Sequence, residues 1–179
     1  MESYFRLASQ FTTQSEPAYC GLGTLCMVLN ALGVDPQRQW KGPWRWFEDS
    51  MLDCCRPLEQ VKKSGITLSE FGCLAVCNGL VAKVHRADTV TASHFLRAIQ
   101  HTSTQEDKVL CVSYHRGTLG QTGAGHFSPI AGTAPSATWC CSWTWPGSSI
   151  PLIGSLSTSS GPRSSLTTRK RANPAATSS

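Results

Sequence analysis

Cys20, Gln14 and His126 are the residues whose types and spacing could carry out a reaction. Cys20 follows Pro17-Ala18-Tyr19 and precedes Leu22, Leu25, Cys26, Leu29 and Leu32, which recur at helical spacing up to Gly33. The cysteine therefore falls in the first turn of a helix. Backbone N–H groups without helical partners and the positive dipole end favour a thiolate there. The thiolate, not the thiol, is the nucleophile. Gln14, six residues upstream, offers an amide donor to a developing oxyanion. A cysteine nucleophile also needs a histidine base from elsewhere in the chain. Of the five histidines, His85, His94 and His101 fall in ordinary strand or helix contexts, and His115 ends a strand. His126 opens a strand straight after the glycine-rich stretch 116–125, where glycines let a loop and a substrate backbone approach closely. Beside Cys20, His126 would give a thiolate–imidazolium pair. The plain alternative for Cys20 is a small buried apolar side chain.

These residues need a scaffold, and the sequence outlines one. Residues 20–32 read as the first helix and residues 57–63 as a short helix ending at Gly65. Thr67-Leu68-Ser69-Glu70 is a capping box that opens a further helix, closed by Asn78-Gly79. Strands are expected over Leu80–His85, Val109–Tyr114 and His126–Ile130, with a helix from Thr91 through Ile99. A helix-rich first half followed by strands is an α+β layout. Residues 1–13 read as a lead-in segment, with Phe5, Leu7 and Phe11 packing inward. The aromatic run Trp40–Phe47 reads as a loop packed on the core, with a ligand-stacking wall as the sharper alternative. Stretch 116–125 lacks the lysine and helix context of a phosphate-binding loop.

Cys54 and Cys55 are adjacent, so they cannot easily ligate one tetrahedral metal together; a structural role is the expected one, with soft-metal binding by one of them as the alternative. Cys73 and Cys77 are i and i+4 on one helix and share a face. That spacing could hold a thiophilic metal, but a core stripe with Phe71 and Leu74 is the expected role.

Nine cysteines with no apolar signal segment point to a reducing, cytoplasmic setting and to thiol or metal chemistry, not disulfides. No run of 18 apolar residues is present, so no membrane span is expected. The formal charge of +5 misleads: residues 1–132 carry 12 Lys+Arg and 11 Asp+Glu, and the remaining four cations lie in 133–179. The nearly neutral first part has no nucleic-acid footprint.

Several longer motifs then resemble one family. Gln-Ser-Glu-Pro-Ala-Tyr-Cys at 14–20, Trp-Lys-Gly-Pro-Trp-Arg-Trp-Phe at 40–47, Ser-Met-Leu-Asp-Cys-Cys at 50–55, Tyr-His-Arg-Gly at 114–117 and Gln-Thr-Gly-Ala-Gly-His-Phe-Ser-Pro-Ile at 121–130 resemble phytochelatin synthase, in order, through about residue 132. The resemblance implies a papain-like fold, with the nucleophile at a helix N-terminus packed against an antiparallel sheet. It implies transfer of the γ-glutamylcysteine unit of one glutathione onto another, with release of glycine. Cys20 then resembles the acylated nucleophile, His126 the base and acid, and Gln14 the oxyanion donor. Arg116 is a candidate clamp for a substrate carboxylate, with a plain surface arginine as the equal alternative, and Tyr19 is a further candidate substrate contact. The implied partners are glutathione and its thiolates of Cd²⁺, Zn²⁺ or similar ions, with no organic cofactor. Cys54, Cys55, Cys73 and Cys77 are the candidate protein ligands for such an ion.

The resemblance stops near Thr133. The family places an aspartate that orients the histidine on the following strand, yet no Asp or Glu occurs after Asp107. In a serine triad, replacing that acid costs about 10⁴ in kcat, and a cysteine nucleophile depends on it less. The expected organisation is a catalytic domain over 1–132 and an irregular, disordered tail over 133–179. That tail holds 19 Ser+Thr and five Pro. Its abrupt onset fits a shifted reading frame or an alternative splice product. Two other readings follow: an impaired chain that binds metal or glutathione through its cysteines, and a peptidase that hydrolyses glutathione or its conjugates.

Overall fold

Val109, Leu110, Cys111 and Val112 are consecutive and all buried, so the strand that carries them must be covered on both faces. The computed structural model describes residues 2–132 and the backbone of 152–158. In chain order the elements are α1 Glu2–Ala8, α2 Cys20–Ala31, α3 Leu58–Ser64, α4 Leu68–Cys77, β1 Leu80–Arg86, α5 Ala92–Ser103, β2 Lys108–His115, β3 Gly125–Ile130 and β4 Leu152–Thr158.

The four strands form one sheet in the order β1-β4-β2-β3, and each neighbouring pair is antiparallel. α5 connects β1 to β2, which are not neighbours; β4 lies between them. Its register sets Thr158 against Leu80 on one side and Ser157 against Lys108 on the other. The expectation of an irregular tail therefore fails at 152–158. Two strands with unpaired inner edges recruit it, because exposed backbone N–H and C=O groups are a template for pairing. The rest of that expectation lies outside the described residues.

Alternation along β2 divides the core in two. Val109 and Cys111 face α2 and α4, joining Leu22, Leu25, Leu29, Phe71, Leu74 and Phe127. Leu110, Val112 and Tyr114 pack with Ile130 and with Ile99 of α5. The result is a layered α+β fold with α2 beginning at Cys20 and packed on the antiparallel sheet at β3.

The helix limits follow from local chemistry. Gly33 at φ 67° ends α2. The Thr67 hydroxyl accepts from the Glu70 N–H at 3.2 Å, and the Glu70 carboxylate accepts from the Thr67 N–H at 2.7 Å. Both halves of the expected capping box are present.

Three expectations are corrected. Residues 2–8 are helical, and only Leu7 of the three lead-in residues is buried; Phe5 is 71% exposed and Phe11 is exposed too. A two-turn helix offers one face, and positions i and i+2 do not share it. Of the aromatic loop, Phe47 is buried while Trp40, Trp44 and Trp46 are exposed. The loop is a tight turn: the Trp40 N–H donates to the Trp44 carbonyl at 2.8 Å, and the Trp40 indole donates to Glu48 at 2.8 Å. Cys73 and Cys77 are exposed, because Leu68, Phe71, Leu74 and Ala75 form the buried stripe of α4. They form disulfides with the loop before α3, Cys54–Cys77 and Cys55–Cys73. The expectation of free thiols thus fails at these four residues; packing of the loop against α4 brings the pairs within reach. Among the described residues no helix is long and apolar enough to cross a membrane.

Candidate active site

Cys20 is the first residue of α2, after Tyr19 at the N-cap. No side chain caps this helix, whereas Thr67 and Thr91 cap α4 and α5. The first-turn N–H groups beside the Cys20 thiol therefore take no side-chain acceptor.

The turn that presents Cys20 is clamped from outside. The Ser15 N–H and hydroxyl both donate to one Asp49 oxygen, at 3.0 and 2.7 Å. Lys62 pairs with Glu16 at 2.6 Å. The Tyr19 hydroxyl donates to the Leu58 carbonyl at 3.2 Å. Within the turn, Gln14 Nε2 donates to the Glu16 and Pro17 carbonyls at 2.9 and 2.8 Å. Both amide hydrogens of Gln14 are thus committed to backbone, and donation to an oxyanion requires an exchange of one of them.

A second set of contacts joins α2 to β3. Thr24, one turn after Cys20, donates its hydroxyl to the Phe127 carbonyl at 3.1 Å. A Cβ on Gly21 would lie 2.6 Å from Ile66 Cδ1 and 3.3 Å from Phe127 Cδ2, so glycine is what permits this approach. Phe127 stacks on Phe71 of α4 at 4.8 Å, nearly parallel.

These contacts hold Gln14, Cys20 and His126 on the wall of one cavity of about 440 Å³, beside Thr24, Met27 and Phe127. The three residues expected to act together are brought to one space. His126 is the second residue of β3, opposite Tyr114, whose ring meets it edge-on at 5.6 Å. Burial pulls the His126 pKa below its ordinary value, and the nearby Arg116 guanidinium adds to the effect. Both causes oppose the resting imidazolium expected from the sequence. Among the described residues no side chain hydrogen-bonds the His126 ring.

The two substrate-binding expectations fare differently. Tyr19 is buried in the core with its hydroxyl on α3, and it does not line the cavity. Arg116 is also off the cavity wall, but its charge acts on both His126 and Tyr114. Its Nε is buried without a hydrogen-bond partner. Backbone bonds from Arg116 N to Ala124 O at 2.7 Å and from Gln121 N to Arg116 O at 3.0 Å close the loop around it. The cysteines expected to bind metal lie elsewhere: Cys54, Cys55, Cys73 and Cys77 line a separate hollow that shares no residue with the Cys20 cavity.

Sequence reasoning missed Thr24, Asp49 and Lys62. Thr24 had a readable signal, as the polar residue inside the apolar run of α2. Asp49 and Lys62 had none, since their partners are set by tertiary packing.

Comparison with known proteins adds to this geometry. The family model described as phytochelatin synthase matches residues 1–139. Glutathione gamma-glutamylcysteinyltransferase 3 of Lotus japonicus is 58% identical over 132 residues, covering 74% of this chain and 28% of that one. The glutathione gamma-glutamylcysteinyltransferase of Schizosaccharomyces pombe is 54% identical over 136 residues, covering 76% and 33%. Glutathione gamma-glutamylcysteinyltransferase 1 of Arabidopsis thaliana is 53% identical over 132 residues, covering 74% and 27%. The matched part of the chain thus spans a third or less of the length of these relatives.

Proposed function

The chain belongs to the phytochelatin synthase family, and from that premise we propose that it transfers γ-glutamylcysteine between glutathione molecules through an acyl-enzyme on Cys20. The observation that carries this reading is the shared cavity of Cys20, His126 and Gln14. A neutral His126 accepts the Cys20 proton as the sulfur attacks the carbonyl of the Cys–Gly peptide bond. The tetrahedral oxyanion is held by the first-turn N–H groups of α2, with Gln14 as a further donor once it releases a backbone carbonyl. His126 returns the proton to the departing glycine amine, leaving a thioester. The α-amine of a second glutathione attacks that thioester, and the Cys20 thiol is regenerated.

The substrate is glutathione, including its thiolates with Cd²⁺, Zn²⁺ and similar ions, so the ion enters as part of the substrate. A reducing cytoplasm is the setting that supplies it. Arg116 clamps a substrate carboxylate from the edge of the site, a role favoured by its unpartnered Nε. Residues 1–132 form the catalytic unit, supported from 152–158 by β4.

Product analysis after incubation with glutathione and Cd²⁺ tests the reading. Peptides with two or more γ-glutamylcysteine units, together with free glycine, support transfer. γ-Glutamylcysteine and glycine alone would replace transfer with hydrolysis by water, and an unchanged substrate would remove the activity.

A further inference from the structure

Cys54 and Cys55 sit on a loop, and Cys73 and Cys77 sit one turn apart on the flank of α4 that faces it. The Sγ atoms of Cys54, Cys55 and Cys77 all lie within 4.8 Å of one another. The adjacent pair, Cys54 and Cys55, are 4.0 Å apart at sulfur. Four thiolates about 2.3 Å from a tetrahedral zinc stand roughly 3.8 Å from each other. The Cys54–Cys55 separation is therefore that of two ligands on one metal, so their adjacency does not prevent shared ligation, while the Cys54–Cys77 and Cys55–Cys73 pairs are bonded and reach such a spacing only once opened. Cys73 joins the group through its bond to Cys55.

We propose that these four cysteines form a thiol-gated site for a thiophilic divalent cation, closed as two disulfides and competent as four thiols. The site is distinct from the Cys20 cavity and does not depend on acylation of Cys20. Opening it takes four equivalents of a small thiol: each disulfide is reduced to two cysteine thiols while two small thiols become one disulfide. Binding the cation then releases up to four protons as the thiols become thiolate ligands.

Reduction does not disperse the group, because other bonds hold it. Arg56, next to Cys55, bonds both carboxylate oxygens of Glu70 at 3.0 and 3.2 Å and the Gly65 carbonyl at 3.2 Å. Glu70 is itself fixed in the capping box of α4. On the other side of the pair, Leu52 is fully buried in the core. Asn78 places its side-chain N–H 3.7 Å from Cys54 Sγ, a donor of the kind that orients a thiolate ligand. The inner face of α4 stays packed whatever the state of its exposed cysteines, so their replacement opens no core cavity.

The test uses the full chain in two states, oxidised and reduced with a phosphine that is then removed. Each is equilibrated with Cd²⁺ alone, desalted, and read by bound metal and by sulfur-to-metal charge-transfer absorbance. The reduced chain is expected to hold one more cadmium per chain than the oxidised chain. Cys20→Ser and Cys140→Ser/Cys141→Ser are expected to keep that ion, and Cys54→Ser/Cys77→Ser to lose it. Alkylation with peptide mapping needs no variant: cadmium is expected to slow labelling of Cys54, Cys55, Cys73 and Cys77 at least tenfold. Equal metal in both states, or unchanged labelling of the four with cadmium present, would overturn the proposal. Neither result bears on whether Cys20 forms an acyl-enzyme, which is read separately by mass.

Discussion

The Thr24 hydroxyl donates to the Phe127 carbonyl across 3.1 Å, tying the helix that starts at Cys20 to the strand that carries His126. Both partners are buried. This bond links the element that begins at the proposed nucleophile to the strand that holds the proposed base. Thr24→Val keeps the shape and leaves the carbonyl unpaired, which costs about 1–3 kcal/mol. A lower urea midpoint and a slower acylation of Cys20 are expected together, and Thr24→Ser is expected to recover both. Slow acylation with unchanged stability in Thr24→Val would contradict this account of the bond.

Gly21 controls the same approach by what it lacks. Gly21→Ala would press a methyl onto Ile66 and Phe127, and overpacking of this kind costs about 1–3 kcal/mol. Ile66→Ala removes the nearest atoms, so Gly21→Ala/Ile66→Ala is expected to be less destabilised than the sum of the single variants. Strict additivity in denaturant unfolding would show that the clash is relieved elsewhere.

The depressed His126 pKa has a definite consequence for pH. As pH falls through the ordinary value of 6.5, the unfolded chain takes up a proton at this residue before the folded chain does. Stability is therefore expected to fall between pH 6.5 and the lower folded pKa, and His126→Asn is expected to flatten that segment. The acid limb of Cys20 acylation is expected below 6.5 for the same reason. Arg116→Gln removes the second cause of the shift and is expected to move the limb upward, which a pH–rate profile checks.

β4 fills the gap between β1 and β2. A chain ended before Leu152 loses it and exposes the inner edges of both strands, which invites pairing between molecules. Light scattering at equal concentration is expected to show association of the shortened chain and none of the full one. Equal behaviour of the two would argue that β4 contributes nothing to the sheet.

Much of this arrangement was legible in the residues. The apolar period after Cys20, the Thr67–Glu70 box and the alternation along 109–114 are local signals, and local physics decides them. His126 was found because a glycine-rich loop ahead of a strand marks an accessible position. The misses share another cause. Whether Cys73 faces the core or the Cys55 loop depends on the rotation of α4, which Leu68, Phe71, Leu74 and Ala75 set together. The place of β4 depends on a gap left by a distant crossover, and nothing within 152–158 announces it. Tyr19 beside Cys20 looked like a substrate contact, yet its hydroxyl is claimed by α3. Adjacency in sequence does not fix the direction of a side chain at a helix start.

The measurement that bears most directly on the central claim is the intact mass of the chain after brief exposure to glutathione and Cd²⁺, beside Cys20→Ser. The account predicts a γ-glutamylcysteinyl adduct on the wild-type chain, absent from Cys20→Ser and strongly reduced in His126→Asn. No adduct on a wild-type chain shown to be folded, or an adduct that survives Cys20→Ser, would contradict it.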